Sequence, residues 1–223
     1  MKKLEIFLDT FDIASIEKYA DFITGITTNP LILAKYIDSK KEDSKKDFLE
    51  KLAQIIKNHP NLLINLQVTE SSANGMIKEA KHIIEQFGKR IIIKIPLNFE
   101  GLKALKEIAK MGAMTNGTLC FSLFQAKVAQ DYGVTYISPF LGRMEGAQDN
   151  IIEFIHNLVN MMSSSKILAA SIRNVRHVEI ALQAQCDAIT INETVFESIF
   201  QMPLLLDGQR LFDEANKFRF ERS

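Results

Sequence analysis

The residue that stands out chemically is Lys94, which lies in the run KRIIIKIPLN at positions 89–98. Burying a charged amine is costly, so such a lysine lowers its pKa, pairs with a carboxylate or extends its ammonium group to the surface. In an apolar site the pKa falls from ~10.4 toward ~7–8, and the neutral amine then attacks a carbonyl carbon to form a Schiff base. Strand alternation favours burial, because Lys94 shares a face with Ile92 and opposes the other three isoleucines of the run. Lys94 is therefore the candidate nucleophile, and a surface lysine or an ion-paired lysine is the structural alternative.

Further polar residues stand at the ends of other apolar runs. They are Asp9 in the first run, Thr27, Thr28 and Asn29 in the second, Gln67 in the third and Thr118 in the fifth. Some have ordinary structural explanations: Asp9 as the cap of a helix that starts near Asp12, Thr118 as a β-branched strand residue. The pair Asn29-Pro30 is equally typical of a turn. A shared site is indicated only if these side chains converge.

Three residues that follow the later runs suit the binding of a phosphate. Arg143 follows the sixth run, Ser171 ends the seventh, and Arg173 comes just after it. Arginine offers paired donors to phosphate oxygens, and a hydroxyl and loop amides add further donors. Because surface arginines are common, the prediction depends on all three residues reaching one rim.

Short β-branched runs alternate with amphipathic stretches along the whole chain. The predicted strands are 4–8, 21–27, 62–68, 90–95, 113–121, 134–140, 166–171 and 187–191, and the predicted helices are 12–20, 47–58, 71–87, 100–111, 124–132, 149–162 and 176–185. Near-continuous apolar strands are typical of parallel sheets that are buried on both faces. The pattern therefore predicts a (β/α)8 barrel, with a doubly wound open sheet as the alternative. In a barrel, catalytic residues gather at the carboxyl ends of the strands, where the polar residues above would share one mouth.

The bulk composition narrows the classes of function. With 223 residues and 47% hydrophobic content, positions 1–223 are expected to form one domain. The 27 basic residues balance the 27 acidic ones, so no net charge favours binding to nucleic acid or to an anionic membrane. No apolar run approaches the ~18 residues of a membrane span, so we predict a soluble cytoplasmic protein. Cys120 and Cys186 lie in apolar runs without metal-type spacing and are predicted to be free buried thiols.

Two segments depart from the alternation of strands and helices. The mixed-charge stretch 36–48 predicts a solvated loop or a helix start. The stretch 207–220 is amphipathic, so residues 207–223 are predicted to form a C-terminal helix and tail that caps the barrel or contacts another subunit.

Taken together, these motifs resemble those of the transaldolase family, in particular its small transaldolases and fructose-6-phosphate aldolases. The shared motifs are, in the family's order, FLDT (7–10), GITTNPLIL (25–33), IIIKIPLNFEGLKAL (91–105), TNGTLCFSLFQA (115–126), YISPFLGR (136–143) and LAASIRN (168–174). The resemblance implies a class I mechanism without metal or cofactor, and sugar-phosphate substrates in the pentose phosphate pathway. It also implies a homo-oligomer, commonly a decamer built from pentamers in which the C-terminal helix reaches a neighbour.

The resemblance further implies a role for each site residue by its position. Lys94 would form the Schiff base, Asp9 would be the acid and base acting on the sugar hydroxyl chain, and Asn29 would hold substrate hydroxyls. Gln67 and Thr118 would hold the water that shuttles protons. The remaining implied contacts, with the substrate and its phosphate, come from Thr28, Phe140, Arg143, Ser171 and Arg173.

Two positions point to different members of the family. Aldolases of the family tend to carry the glutamine found at Gln67, whereas transaldolases tend to carry glutamate there. Phe140 is typical of transaldolases, and since it lacks a hydroxyl to hold the catalytic water, it disfavours protonation of the enamine. Arg173 also favours a transaldolase, because the aldolases tend to have lysine at that position. We therefore predict transfer of a dihydroxyacetone unit between sugar phosphates, with a fructose-6-phosphate aldolase that releases free dihydroxyacetone as the alternative.

Two other classes of protein are compatible with these residues. An isomerase would use Lys94 only as an electrostatic group and would form no covalent adduct. A non-enzymatic sugar-phosphate binder would raise its melting temperature with ligand but would not turn it over.

Overall fold

Eight parallel strands close into a barrel in the order in which they occur along the chain. The computed structural model describes residues 3–37, 43–147 and 150–215. The strands are β1 (Glu5–Asp9), β2 (Gly25–Thr27), β3 (Leu63–Gln67), β4 (Ile91–Pro96), β5 (Thr115–Cys120), β6 (Tyr136–Pro139), β7 (Lys166–Ala169) and β8 (Ala188–Ile191). β1 pairs with β2 on one side and with β8 on the other, which closes the ring. The predicted (β/α)8 barrel is confirmed, and the open sheet is wrong.

Helices surround the barrel in the part of the chain that the structure describes. They are α1 (Ile13–Tyr19), α2 (Pro30–Tyr36), α3 (Ser44–Asn58), α4 (Ala73–Phe87), α5 (Phe99–Lys110), α6 (Leu123–Asp131), α7 (Leu141–Met144), α8 (Ile151–Met161), α9 (Val175–Gln183), α10 (Glu193–Phe200) and α11 (Pro203–Ala215). Three of them, α2, α7 and α10, lie where the sequence analysis gave no helix bounds. Within the stretch 36–48, α3 begins at Ser44, and residues 38–42 lie outside the described residues. Residues 216–223 of the predicted C-terminal helix and tail also lie outside them, and α11 begins at Pro203 rather than at 207.

The barrel interior is packed at its amino end. Phe7, Ile92, Tyr136, Leu168, Ala170 and Ala188 form the inner cluster. The Tyr136 hydroxyl donates to Glu5 Oε2 at 2.8 Å, and Lys166 pairs with the same carboxylate. Side chains therefore fill the amino end of the barrel. The interior polar groups that can meet a ligand lie at the carboxyl end.

The outer faces of the strands pack against the helices. Ile91, Ile93 and Ile95 belong to this larger core, whereas Ile92 belongs to the inner cluster. The alternation places Lys94, which follows the parity of Ile92, inside the barrel.

Both cysteines are buried in this framework. Cys120 is inaccessible, Cys186 is 7% exposed, and neither forms a disulfide. Burial raises the pKa of each thiol to about 12. The prediction of free buried thiols is confirmed. Among the described helices, none is both long enough and apolar enough to cross a membrane.

Gly101 lies where α5 approaches the end of β4 closely. A Cβ atom at this position would lie 1.9 Å from the carbonyl oxygen of Pro96, two residues beyond Lys94. Helix propensity alone favours alanine by about 1 kcal/mol. The backbone clash outweighs that preference, so we expect Gly101→Ala to lower the free energy of unfolding by about 2 kcal/mol.

Gly208→Ala in α11 is the matched control, because nothing lies within 4 Å of an added Cβ there. We expect this variant to be neutral or stabilised. Equilibrium denaturant unfolding measures both, and a Gly101→Ala protein as stable as the wild type would contradict the packing of α5 on β4.

Candidate active site

Lys94 lies inside the barrel near the carboxyl end of β4. Its side chain is 3% exposed, and its Nζ donates a hydrogen bond to the carbonyl oxygen of Thr28 at 2.9 Å. Burial lowers the pKa of Lys94, and the nearby Asp9 carboxylate partly opposes this by raising it. Of the sequence alternatives, extension of the ammonium group to the surface is therefore excluded.

Asp9 ends β1 and faces the lysine across the mouth. Burial raises the pKa of the Asp9 carboxyl, while the Lys94 charge and the Thr27 hydroxyl lower it. Thr27 Oγ1 donates to Asp9 Oδ1 at 2.7 Å and lies 2.5 Å from Thr190 Oγ1. Since the Thr27 proton is used toward the carboxylate, Thr190 is the donor in the second contact.

The alternative role of Asp9 as a helix cap is excluded. Asp12 begins α1 instead, and its Oδ2 accepts from the backbone nitrogen of Ser15 at 3.0 Å. The Asp9 carboxylate instead accepts a hydrogen bond from the Thr27 hydroxyl and interacts with the charge of Lys94.

Thr28 and Asn29 follow β2, and they contribute a backbone carbonyl next to Lys94 and the cap of α2, respectively. Thr28 is fully buried, and its hydroxyl donates to the carbonyl oxygen of Asn65 at 3.1 Å, so it meets Lys94 through its own carbonyl. Asn29 Oδ1 accepts from the first amides of α2, at 3.0 Å each. This cap leaves the Nδ2 group of Asn29 as the half of its amide that can meet a ligand.

Gln67 and Thr118 flank the lysine on the neighbouring strands. Gln67 pairs with Lys94 in the register of β3 and β4, and paired residues project to the same side of a sheet. Thr118 is 1% exposed, and its hydroxyl has no hydrogen-bond partner among the described residues. A buried hydroxyl in this state is a ready partner for a water or a substrate hydroxyl.

A β-bulge places Thr118. The register of β5 against β6 shifts between Gly117 and Cys120, and Leu119 has the left-handed φ of 58°. This conformation is strained for a leucine, and such outliers cluster at functional sites.

Sequence analysis missed a chain of polar side chains one layer deeper. Ser138 Oγ donates to Asn116 Oδ1 at 2.8 Å, and Asn116 Nδ2 donates to Asn65 Oδ1 at 2.8 Å. The buried Nδ2 of Asn65 has no partner among the described residues. These three residues precede Gln67, Thr118 and Phe140 by two positions, so the alternation of strand faces is the signal that could have found them.

The predicted phosphate-binding residues meet at one part of the rim. The Gly142 amide donates to the Ser171 carbonyl at 2.9 Å, and a Cβ at Gly142 would lie 2.8 Å from the Arg173 stem. Gly142 therefore allows the two loops to touch, a role that sequence analysis did not assign. Arg143 stacks its guanidinium over the Phe140 ring, 5.5 Å from the centroid. Both arginines are exposed, and neither guanidinium has an ion pair or hydrogen bond to a described residue.

The arrangement combines a buried amine with two exposed arginines at the rim. The lowered pKa of Lys94 increases the neutral fraction of its amine, the form that can attack a carbonyl group, and the raised pKa of Asp9 brings its carboxyl group closer to the range in which it can exchange a proton. Within the described ranges, no three His, Cys, Asp or Glu side chains converge as metal ligands.

The fold and this site define the class of protein: a (β/α)8 barrel with polar residues and a buried amine at the carboxyl ends of its strands. The model of the Transaldolase/Fructose-6-phosphate aldolase family matches residues 6–222. The chain belongs to this family.

Relatives agree with the family model over almost the full chain. The chain is 33% identical to a probable transaldolase of Nitrosopumilus maritimus over 216 residues, covering 94% of this chain and 93% of the relative. It is 35% identical to a probable transaldolase of Parvibaculum lavamentivorans, covering 94% of each. It is 34% identical to one of Lactiplantibacillus plantarum, again covering 94% of each.

Two solved structures share the barrel at much lower identity. Thiamine phosphate pyrophosphorylase from Pyrococcus furiosus matches with a TM-score of 0.58 and 14% identity, covering 85% of both chains. The carboxyl transferase domain of Rhizobium etli pyruvate carboxylase matches with a TM-score of 0.64 and 13% identity, covering 86% of this chain and 40% of that one. At these identities the likeness concerns the fold alone.

The electrostatic coupling of Asp9 and Lys94 gives a signed prediction. Because the Asp9 charge raises the pKa of Lys94, Asp9→Asn should lower that pKa further. The neutral fraction of the amine at a given pH then increases. The midpoint pH for trapping Lys94 with dihydroxyacetone and cyanoborohydride should therefore move to lower pH.

Asp21→Asn is the matched control, because Asp21 is an exposed carboxylate. Its trapping profile should coincide with that of the wild type. A midpoint that stays in place or rises in Asp9→Asn would refute the coupling.

Proposed function

We propose that this protein is a transaldolase that transfers a dihydroxyacetone unit from a ketose phosphate to an aldose phosphate through a Schiff base on Lys94. The observation that carries the proposal is the enclosed amine, 3% exposed and lowered in pKa, beside a carboxyl group of raised pKa. The names of the relatives, probable transaldolase, support the same choice.

Lys94 begins the reaction as a neutral amine that attacks the keto carbon of the donor sugar. The carbinolamine loses water and becomes an iminium ion, whose positive nitrogen withdraws electrons from the neighbouring carbons. Asp9, as a carboxylate, takes the proton of the hydroxyl two carbons away, and the carbon–carbon bond next to that hydroxyl breaks. The aldose phosphate leaves with the new aldehyde, and the electron pair of the broken bond remains on the lysine-bound unit as an enamine.

The second half-reaction runs these steps in reverse on an acceptor. The enamine carbon attacks the aldehyde carbon of an aldose phosphate, and the oxygen that becomes a hydroxyl takes its proton from Asp9. Water then hydrolyses the iminium, which releases the new ketose phosphate and restores the free amine. Gln67 and Thr118 would hold this water, since both project to the side of Lys94 and the Thr118 hydroxyl has no partner among the described residues.

Substrate groups away from the lysine are held at the rim. The guanidinium groups of Arg143 and Arg173 have no ion pair or hydrogen bond to a described residue, and Ser171 lies in the Arg173 loop, where its carbonyl accepts from the Gly142 amide of the other loop. The charge and the paired donors of arginine suit a phosphate. The Nδ2 of Asn29 offers a donor to a sugar hydroxyl.

The choice between transfer and release depends on how the enamine is protonated. Phe140 brings an aromatic face and no hydroxyl to the mouth, and its ring packs edge-on against Phe121 at 6.2 Å. Water near the enamine is therefore less well held, which favours the aldehyde acceptor. Gln67 supports the second candidate function, a fructose-6-phosphate aldolase that releases free dihydroxyacetone.

A paired assay separates transfer from release. Fructose 6-phosphate is supplied with and without erythrose 4-phosphate, and glyceraldehyde 3-phosphate, sedoheptulose 7-phosphate and dihydroxyacetone are quantified. We expect glyceraldehyde 3-phosphate and sedoheptulose 7-phosphate only when the acceptor is present. Dihydroxyacetone formed without acceptor would make the protein an aldolase.

Lys94→Met removes the nucleophile and should abolish both turnover and the borohydride-trapped adduct of fructose 6-phosphate. Lys103→Met is the control, since Lys103 is exposed and pairs with Glu100 at 2.7 Å. Turnover that survives in Lys94→Met would rule out the Schiff base and favour an isomerase. A ligand-induced rise in melting temperature without turnover would favour a binding protein.

We also propose that the protein works as a homo-oligomer, of which a decamer is one form. Large apolar side chains of α11 face solvent, among them Leu204 at 83% exposure and Phe212 at 77%, and no residue of α11 is buried. A contiguous exposed apolar surface of this kind is typical of a subunit contact.

Changing Leu211 and Phe212 together to glutamate should lower the molar mass measured by light scattering coupled to size exclusion. Glu214→Gln on the same helix, which only alters a surface pair with Arg210, is the control. An unchanged mass in the double variant would remove α11 from the subunit contact.

The location proposed for the enzyme is the cytoplasm, with a role in the pentose phosphate pathway. Two buried, unpaired thiols fit a reducing compartment. Family membership supports sugar phosphates as substrates.

A further inference from the structure

We propose that His177 is a positioning residue that joins the two arginine-bearing loops and thereby sets the affinity for phosphorylated substrates. This inference rests on the proposed function, because it assigns the phosphate of the substrate to Arg143 and Arg173. His177 touches neither substrate nor Lys94 and acts through the loops.

The imidazole of His177 is fixed from its Nδ1 side by the Arg173 loop. His177 is inaccessible to solvent and lies in the first turn of α9, where its amide donates to Asn174 Oδ1 at 3.0 Å. The Arg173 amide donates to His177 Nδ1 at 3.2 Å. Because Nδ1 accepts this bond, the ring proton resides on Nε2.

The Nε2 side of the same ring meets the other loop. Glu145 Oε2 lies 3.2 Å from His177 Nε2, and Glu145 follows Arg143 by two residues at the end of α7. Nε2 forms no regular hydrogen bond with any described residue. The Glu145 carboxylate attracts the positive end of the Nε2–H dipole electrostatically, and this attraction orients the ring.

Backbone contacts complete the junction of the two loops. The Leu141 amide donates to the Ala170 carbonyl at 2.9 Å, and the Gly142 amide donates to the Ser171 carbonyl at 2.9 Å. These bonds fix the starts of the loops, just after β6 and β7. His177 fixes them further along, at the amide of Arg173 and at Glu145.

A polar side chain in this place needs a reason beyond packing. Burying an imidazole without satisfying both nitrogens costs stability, which an aliphatic side chain of similar size would avoid. We infer that the imidazole is retained because it fixes the backbone of Arg173, whose guanidinium has no ion pair or hydrogen bond to a described residue. A phosphate site needs both guanidinium groups in one geometry, since paired donors lose their advantage when one is displaced.

Two substitutions separate the two sides of the ring. His177→Gln places an amide near Nε2 but provides no acceptor at Nδ1, so the Arg173 amide loses its partner. His177→Asn retains an acceptor near Nδ1 and loses the contact with Glu145. With fructose 6-phosphate saturating, we expect KM for erythrose 4-phosphate to rise about tenfold in His177→Gln and about threefold in His177→Asn.

A purely structural defect would change the kinetics with phosphorylated and unphosphorylated sugars alike, whereas a positioning role changes only KM for the phosphorylated sugar. KM for unphosphorylated erythrose, kcat and the trapping of dihydroxyacetone on Lys94 should stay within about twofold of wild type, because the lysine site is untouched. Inhibition by inorganic phosphate should weaken in parallel with KM. His156→Asn on α8 is the control, a half-buried histidine away from the rim.

The outcomes decide between the alternatives. An unchanged ratio of the two KM values in both variants, or equal increases for erythrose and erythrose 4-phosphate, would overturn the positioning role. If His177→Gln does not fold, His177→Asn alone decides by the same ratio. Failure of the proposed function is seen in the wild type, which would then form no sedoheptulose 7-phosphate from fructose 6-phosphate and erythrose 4-phosphate. Calorimetric titration with inorganic phosphate then tests the positioning role alone: we expect weaker binding in His177→Asn, and equal affinities in the two proteins would overturn it.

Discussion

Removal of the Lys94 amine from water is the constraint on which the rest of the site depends. Eight strands surround this side chain, and among the described residues the Thr28 carbonyl oxygen accepts its hydrogen bond and the Asp9 carboxylate acts on its charge. Desolvation and Asp9 act on its pKa in opposite directions, and desolvation is the larger. The same burial that disfavours the ammonium form favours the neutral amine, which is the form that attacks carbonyl groups, so the stability cost and the proposed chemistry have one cause.

The barrel separates stability from chemistry along its axis. At the amino end, aromatic and aliphatic side chains fill the interior, and Glu5, Lys166 and Tyr136 satisfy one another. Toward the carboxyl end the interior becomes polar: first the Ser138, Asn116 and Asn65 chain, then the lysine layer, and finally the exposed arginines. A substrate that enters this mouth meets charge at the rim before it meets the amine, which suits an anionic sugar that must present its carbonyl inward.

The sequence was sufficient for the barrel and for the residues at its strand ends, because parallel strands are continuous apolar runs and the site lies where those runs stop. It gave no bounds for α2, α7 or α10: α7 is a single turn, whereas the apolar residues of α10 at 195, 196, 199 and 200 do follow a helical period and could have been used. Asn65, Asn116 and Ser138 escaped notice because attention to strand ends overlooked the layer two residues earlier on the same face. The contacts of Gly142 with the Arg173 stem and of His177 with Glu145 join separate loops, which no local pattern encodes.

Two residues at the mouth, Leu119 and Ser171, hold left-handed backbone conformations with φ of 58° and 56°. Each such conformation costs of the order of 1–3 kcal/mol, and the cost is met when the chain folds rather than when a ligand arrives. Ligand binding does not have to create either conformation, because both are already present in the free protein. Glycine at 119 or 171 would relieve this strain, since it adopts a positive φ without steric cost. The same change would widen the range of backbone conformations open to the mouth, so these two positions would be held less firmly in the free protein.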